Sequence, residues 1–137
     1  MGARRRGRVL AFQSLYSYEV NGCSLENLLS FSWIDPERLE KLKKESLDFA
    51  RLIATGTIEN LASIDDQINS RVEHWDFSRI NRVDLSILRI SVYALLFQHE
   101  IPSTVTIDEA IDIAKEYGTD ESYRFVNGVL DGISKHH

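Results

Sequence analysis

Cysteine, proline and glycine are scarce in this chain, and each scarcity closes off a class of protein. One cysteine, Cys23, excludes an internal disulfide framework and fits a reducing compartment. Two prolines and seven glycines in 137 residues leave few turn-formers for a β-rich fold. No apolar run approaches the roughly 18 residues that a membrane span needs. The stretch VLAFQSLY after the basic start is too short and too polar for a signal-peptide core. A cytoplasmic protein without a membrane partner is expected. The glycine-rich phosphate cradles G-x-x-x-x-G-K-[ST] and G-x-G-x-x-G are missing. His74 and His99 lack a second ligand at metal spacing, and Cys23 has no visible base. His136 and His137 are assigned no role. Neither enzymatic activity nor a cofactor is expected.

What is present is a charge asymmetry. Acids outnumber bases, 21 Asp+Glu to 16 Lys+Arg, yet the opening MGARRRGRVLAFQSLYSY holds Arg4, Arg5, Arg6 and Arg8 and no acid. Without those four arginines the remainder carries 12 bases against 21 acids, a net of −9. A basic end on an acidic body points to an anionic partner, nucleic acid first. Single-stranded RNA is commonly held by cations together with aromatic platforms, and Phe12, Tyr16 and Tyr18 follow the arginines within three turns. The plain alternative is that Phe12 and Leu15 are core and the arginines solubilise a helix end. Tyr16 and Tyr18 stand about 200° apart on a helix, so at least one of them must leave the apolar face.

Helical periodicity runs through the whole chain, and an all-α fold of six to seven helices in two packed groups is expected. The first helix spans about residues 5–20 and stops at Asn21-Gly22. Ser24 and Asn27 open a short second helix. Asp35-Pro36-Glu37 starts the next one with a capping carboxylate, a first-turn proline and an acid. Beyond it one apolar stripe keeps phase to Ile68, which predicts a single long helix over 36–72 with Gly56 as a contact point for another helix. The pattern lapses around His74-Trp75-Asp76-Phe77, a seam between halves 1–75 and 76–137 of one domain. Asn81 with Asp84 caps a helix apolar on most sides, which forms the centre of the second half. Thr106-Ile107-Asp108-Glu109 reads as a capping box, Gly118 as a stop and Thr119 as the last cap. Gly128 and Gly132 share a face suited to close packing. The acidic pairs read as ordinary: Asp108-Glu109 and Asp120-Glu121 open helices, and Asp65-Asp66 lies on a solvated face.

Four segments, ARRRGRVLAFQSLYSYEVNG, INRVDLSILRISVYALLF, IPSTVTIDEAIDIAKEYG and ESYRFVNGVLDGI, closely resemble in order the signature segments of the NusB family of transcription antitermination factors. The resemblance covers nearly the whole chain and is weakest from Cys23 to Lys44. It implies two helical subdomains and a non-enzymatic function: binding the boxA element of ribosomal RNA leader transcripts together with NusE, a small-subunit ribosomal protein. That pair would join an antitermination complex on RNA polymerase. The resemblance carries RNA contact to Arg4, Arg5, Arg6 and Arg8, to Gln13, Tyr16 and Tyr18, and to Ser122 and Arg124, which it places beside the arginines. It carries partner-protein contact to Asp84 and Glu121, and Glu121 also matches an acidic position expected to tune RNA affinity by repulsion. Few residues precede Arg4, so no further upstream contact is expected. Gly132 stands where relatives often have a longer polar residue, so none is expected there either. The competing reading is a self-associating helical module whose homodimer covers the arginine end. A fused ribosomal RNA methyltransferase is a third, for which the chain has no residues to spare.

Overall fold

A computed structural model of the chain describes residues 2–72 and 77–136, and all regular structure among them is helical. α1 spans Ala3–Asn21, α2 Leu25–Leu29, α3 Pro36–Glu40, α4 Lys44–Glu59 and α5 Leu61–Arg71. A single 3₁₀ turn, Phe77–Arg79, leads into α6 (Arg82–Phe97), α7 (Ser103–Tyr117) and α8 (Ser122–Lys135). Of the expected seam, His74, Trp75 and Asp76 lie outside the described residues.

Several boundaries follow from local chemistry. Gly22, at φ +63°, takes the left-handed turn that ends α1. The Ser24 hydroxyl accepts from the Asn27 N–H, and the Asp35 carboxylate accepts from the Glu37 N–H ahead of Pro36. The Asn81 side chain accepts from the Asp84 N–H at 2.8 Å and opens α6.

The single helix expected over 36–72 is three helices, which brings the described α-helices to eight. α3 ends after Glu40, and Asn60, at φ −114° and ψ 22°, leaves the helical region between α4 and α5. Its amide donates to the Gly56 carbonyl at 2.8 Å, competing with the helical ladder. The stripe kept its phase because it reports which side chains face the core, whereas a local break depends on side-chain to backbone bonds. Gly56 itself is the expected contact point. A Cβ there would fall 2.3 Å from the Tyr93 ring of α6, so only glycine permits this approach.

Other expectations give way in the second half. α7 begins at Ser103, behind Pro102, so Thr106 lies inside its first turns and is buried, and the capping box goes unused. Thr119 does not cap α8; the Ser122 hydroxyl instead accepts from the Thr119 N–H at 2.9 Å. Asp120 and Glu121 precede that helix. A Cβ on Gly128 would meet nothing, and Gly132 approaches only the Arg71 side chain.

α6 is the hub, packing against α1, α4, α5, α7 and α8. It therefore joins both groups of helices and does not serve the second alone. Leu10, Leu15, Ile64, Ile68, Ile87, Leu88, Leu130 and Ile133 are fully buried in one continuous core. Inside it the Arg89 guanidinium, with a side chain only 5% exposed, meets both oxygens of Asp65 at 2.9 Å and Glu19 at 3.2 Å. Asp65 thus does not lie idle on a solvated face: it neutralises a buried cation and ties α5 to α6.

Candidate nucleic-acid interface

Successive residues of a helix turn by about 100°, so Arg4, Arg5 and Arg6 cannot act as one strip. Arg4 and Arg8, one turn apart, lie over the same Phe49 ring of α4, at 5.2 and 5.3 Å from its centroid. Gly7 between them makes this possible: a Cβ there would come within 2.9 Å of Phe49 and 3.0 Å of the Ser46 carbonyl. The Ser46 hydroxyl donates to the Ala3 carbonyl at 2.8 Å and pins the two helix starts together.

Arg5 points the other way, toward α7. Its guanidinium bonds Glu109 at 2.6 Å and Asp112 at 2.7 Å, and these bonds hold its pKa above the ordinary value. Arg8 is more enclosed than Arg5, its side chain 11% exposed and 3.8 Å from Glu109. Burial draws its pKa down, Glu109 opposes that, and Arg4 and Arg5 add to it. Glu109, read from sequence as a capping acid, is a counter-ion for two arginines. Arg6, without an ion pair among the described residues, faces α3 and the start of α4, where it lines a hollow with Arg38, Lys41 and Lys43. The tract therefore divides: Arg5 and Arg8 bind the protein to itself, and Arg4 and Arg6 have no ion pair among the described residues.

Further along α1 lies an aromatic cleft of about 270 Å³, lined by Phe12, Gln13, Tyr16, Ser17, Trp33, Arg38, Val83 and Tyr117. Phe12 and Tyr117 pack at 5.1 Å, tilted by 56°, and Tyr16 is 37% exposed at its edge. Gln13 lines the cleft and has a buried amide oxygen with no hydrogen-bond partner among the described residues. Tyr18 is half-buried and does not line the cleft. Of the two tyrosines, Tyr16 is the one that lines the cleft. Trp33, Arg38 and Tyr117 escaped the sequence reading. The first two fall where the family resemblance is weakest, and no periodicity marks a residue in a short connecting turn.

Ser122 and Arg124 share no bond or cleft with the arginines among the described residues. Arg5 meets the middle of α7 at Glu109 and Asp112 and Phe12 meets its end at Tyr117, so the two helices run in the same direction. The eight residues from Glu109 to Tyr117 span about 12 Å. Ser122 and Arg124 lie beyond, in a hollow of about 410 Å³ with Arg79, Asn81, Asp84, Thr119 and Glu121. Ser122 is 1% exposed and its hydroxyl is taken up by the Thr119 N–H, which suits it to shaping this hollow and not to touching RNA. Arg124 and Glu121 are exposed and 4.0 Å apart. Asp84 is 6% exposed, with one carboxylate oxygen unpartnered. Its burial, partly offset by the Ser122 hydroxyl, pushes its pKa up. Residues that the sequence reading divided between RNA and protein contact thus line one hollow.

No group of His, Cys, Asp and Glu among the described residues is arranged to hold a metal, and no helix there is long and apolar enough to cross a membrane. The pattern of the NusB family matches residues 5–135. A transcription antitermination protein NusB of Treponema pallidum is 51% identical over 132 residues, which cover 96% of this chain and 92% of that protein. A structure of Thermotoga maritima NusB superposes with a TM-score of 0.86 at 44% identity, covering 98% of this chain and 92% of that one. A structure of antitermination factors NusB and NusE in complex with dsRNA gives 0.85 at 24% identity over 98% of each chain, a likeness of fold alone.

Proposed function

The chain belongs to the NusB family, and we propose that it is a non-enzymatic transcription antitermination factor that binds boxA RNA of ribosomal RNA leader transcripts together with NusE. In this reading the pair acts within an antitermination complex on RNA polymerase. The observation that carries the RNA assignment is the sequence of groups along α1. Unpaired Arg4 and Arg6 stand at its start, and the cleft of Gln13 and Tyr16 follows two turns later. Cations at spaced phosphates beside an aromatic slot for an unstacked base are what single-stranded RNA requires. Arg5 and Arg8 brace the site through Glu109, with Arg5 still half-exposed at the surface. Tyr18 and Arg124 serve as outlying contacts. Asp84 and Glu121 form the acidic face offered to a basic partner protein, with Ser122 shaping the hollow between them.

The test is RNA binding with and without NusE at two salt concentrations. Affinity is expected to rise with NusE and to fall with salt at a log–log slope of roughly −2 to −3, for three or four neutralised phosphates. The double substitution Arg4→Ala, Arg6→Ala should weaken binding about a hundredfold, from two charged hydrogen bonds lost. Undiminished affinity in that variant rules the site out. A dimer that RNA never dissociates would favour the reading in which a second copy covers the arginine end.

A further inference from the structure

The corner where α1, α3 and α4 meet holds a concentration of charge that the arginine tract does not explain. Arg6, Arg38, Lys41 and Lys43 line one hollow of about 310 Å³, with Ala3, Leu42 and Ser46 as its remaining walls. Among the described residues no carboxylate lines it, and none of these four cations is in an ion pair. Glu37, Glu40 and Glu45 belong to the same helices but stay outside the hollow. In a chain with an excess of acid, four uncompensated cations around one cavity repel each other and await an anion. The corner is also held in shape, since the Ser46 hydroxyl bonds the Ala3 carbonyl and Leu42 packs against the core.

Arg38 decides which anion. It lines this hollow and also the aromatic cleft of Gln13, Tyr16 and Trp33. The two cavities are thus neighbours that share the Arg38 side chain, whose guanidinium is a group able to bridge a phosphate and an aromatic face. A ligand that fills both must alternate phosphate and planar base. We propose that the α3–α4 corner is a second phosphate-binding contact for single-stranded RNA, which extends the strand's path from the aromatic cleft through Arg38 to Lys41 and Lys43. The inference rests on the RNA-binding function proposed above and adds to it a longer footprint.

The test uses the full chain, a labelled boxA RNA, and the same RNA with about six uridines added at one end or the other. In the wild type the addition at one end should tighten binding about tenfold. Lys41→Ala with Lys43→Ala should abolish that gain and lower the salt slope for the longer RNA by about 1.4, for two single-strand phosphates. Both lysines are exposed, so the helical circular dichroism should not change. An equal gain in variant and wild type, or none in the wild type, overturns the corner as a contact. The outcomes separate this inference from its premise. If wild type binds the core RNA and Arg4→Ala does not, while the lysine variant gains normally, the RNA site stands and the corner falls. If the wild type binds neither RNA, both fall.

Discussion

Arg89 and Arg6 are the same side chain put to opposite uses. Arg89 sits inside the helical body with its guanidinium enclosed by Asp65 and Glu19, and Glu19 also receives Arg82 at 2.9 Å. Arg6 stands at the far end of α1 among three other cations and no acid. A buried charge survives only when its partners are fixed around it, so the first cluster is satisfied internally and rigid. The second is soluble but electrostatically incomplete. An arginine's role is thus read from what encloses it, and the four of the tract fall on both sides of that line.

The largest effect should come from breaking the enclosed cluster. Arg89→Ala leaves Asp65 without its cation and Glu19 with Arg82 alone, and a loss of about 3–5 kcal/mol is expected in chemical denaturation. A loss well below 1 kcal/mol would show that water reaches this cluster and that it belongs with the open one.

Arg5→Ala tests the intermediate case. Its two ion pairs are partly exposed, at 35% for the arginine side chain, so solvent screening limits the stability loss to about 0.5–1 kcal/mol. RNA affinity should fall by a few-fold only, because Arg4 and Arg6 keep their positions. If RNA binding instead drops as far as in the Arg4, Arg6 variant, then Arg5 releases Glu109 to engage RNA, and the division of the tract does not hold in the complex.

This contrast also marks what the residues alone disclosed. The helical character, the Gly22 stop, the Ser24, Asp35 and Asn81 caps and the role of Gly56 all follow from local chemistry within a few residues. The charge asymmetry of α1 pointed to the helix end where Arg4 and Arg6 stand without an acidic partner among the described residues. The counter-ions were beyond reach, because Arg5 and Glu109 are 104 positions apart and Arg89 and Glu19 are 70 apart. Nothing in a run such as IDEAIDIA says that one acid faces another helix. The breaks at residues 41–43 and at Asn60 were hidden by a stripe that kept its phase. The corner of Arg38, Lys41 and Lys43 lies in the segment where the family resemblance is weakest.

Asp84 gives the smallest expected effect and the finest distinction, since it is a buried charge without an enclosing cation. Burial raises its pKa, so the unfolded chain releases this proton more readily than the folded one. Its contribution to stability is therefore greatest at acidic pH and is lost as pH rises through the carboxylate range. Asp84→Asn keeps the shape and removes that dependence. The variant should match the wild type at low pH and exceed it at pH 7 by less than about 1 kcal/mol, read from denaturation across a pH series. NusE binding should respond in the opposite sense, weakening by about tenfold if a basic group of the partner normally supplies the missing counter-charge. A variant less stable than wild type at pH 7 would mean that the Asp84 carboxylate is already compensated within the chain, as Arg89 is, and that its side of the molecule has no charge to offer a partner.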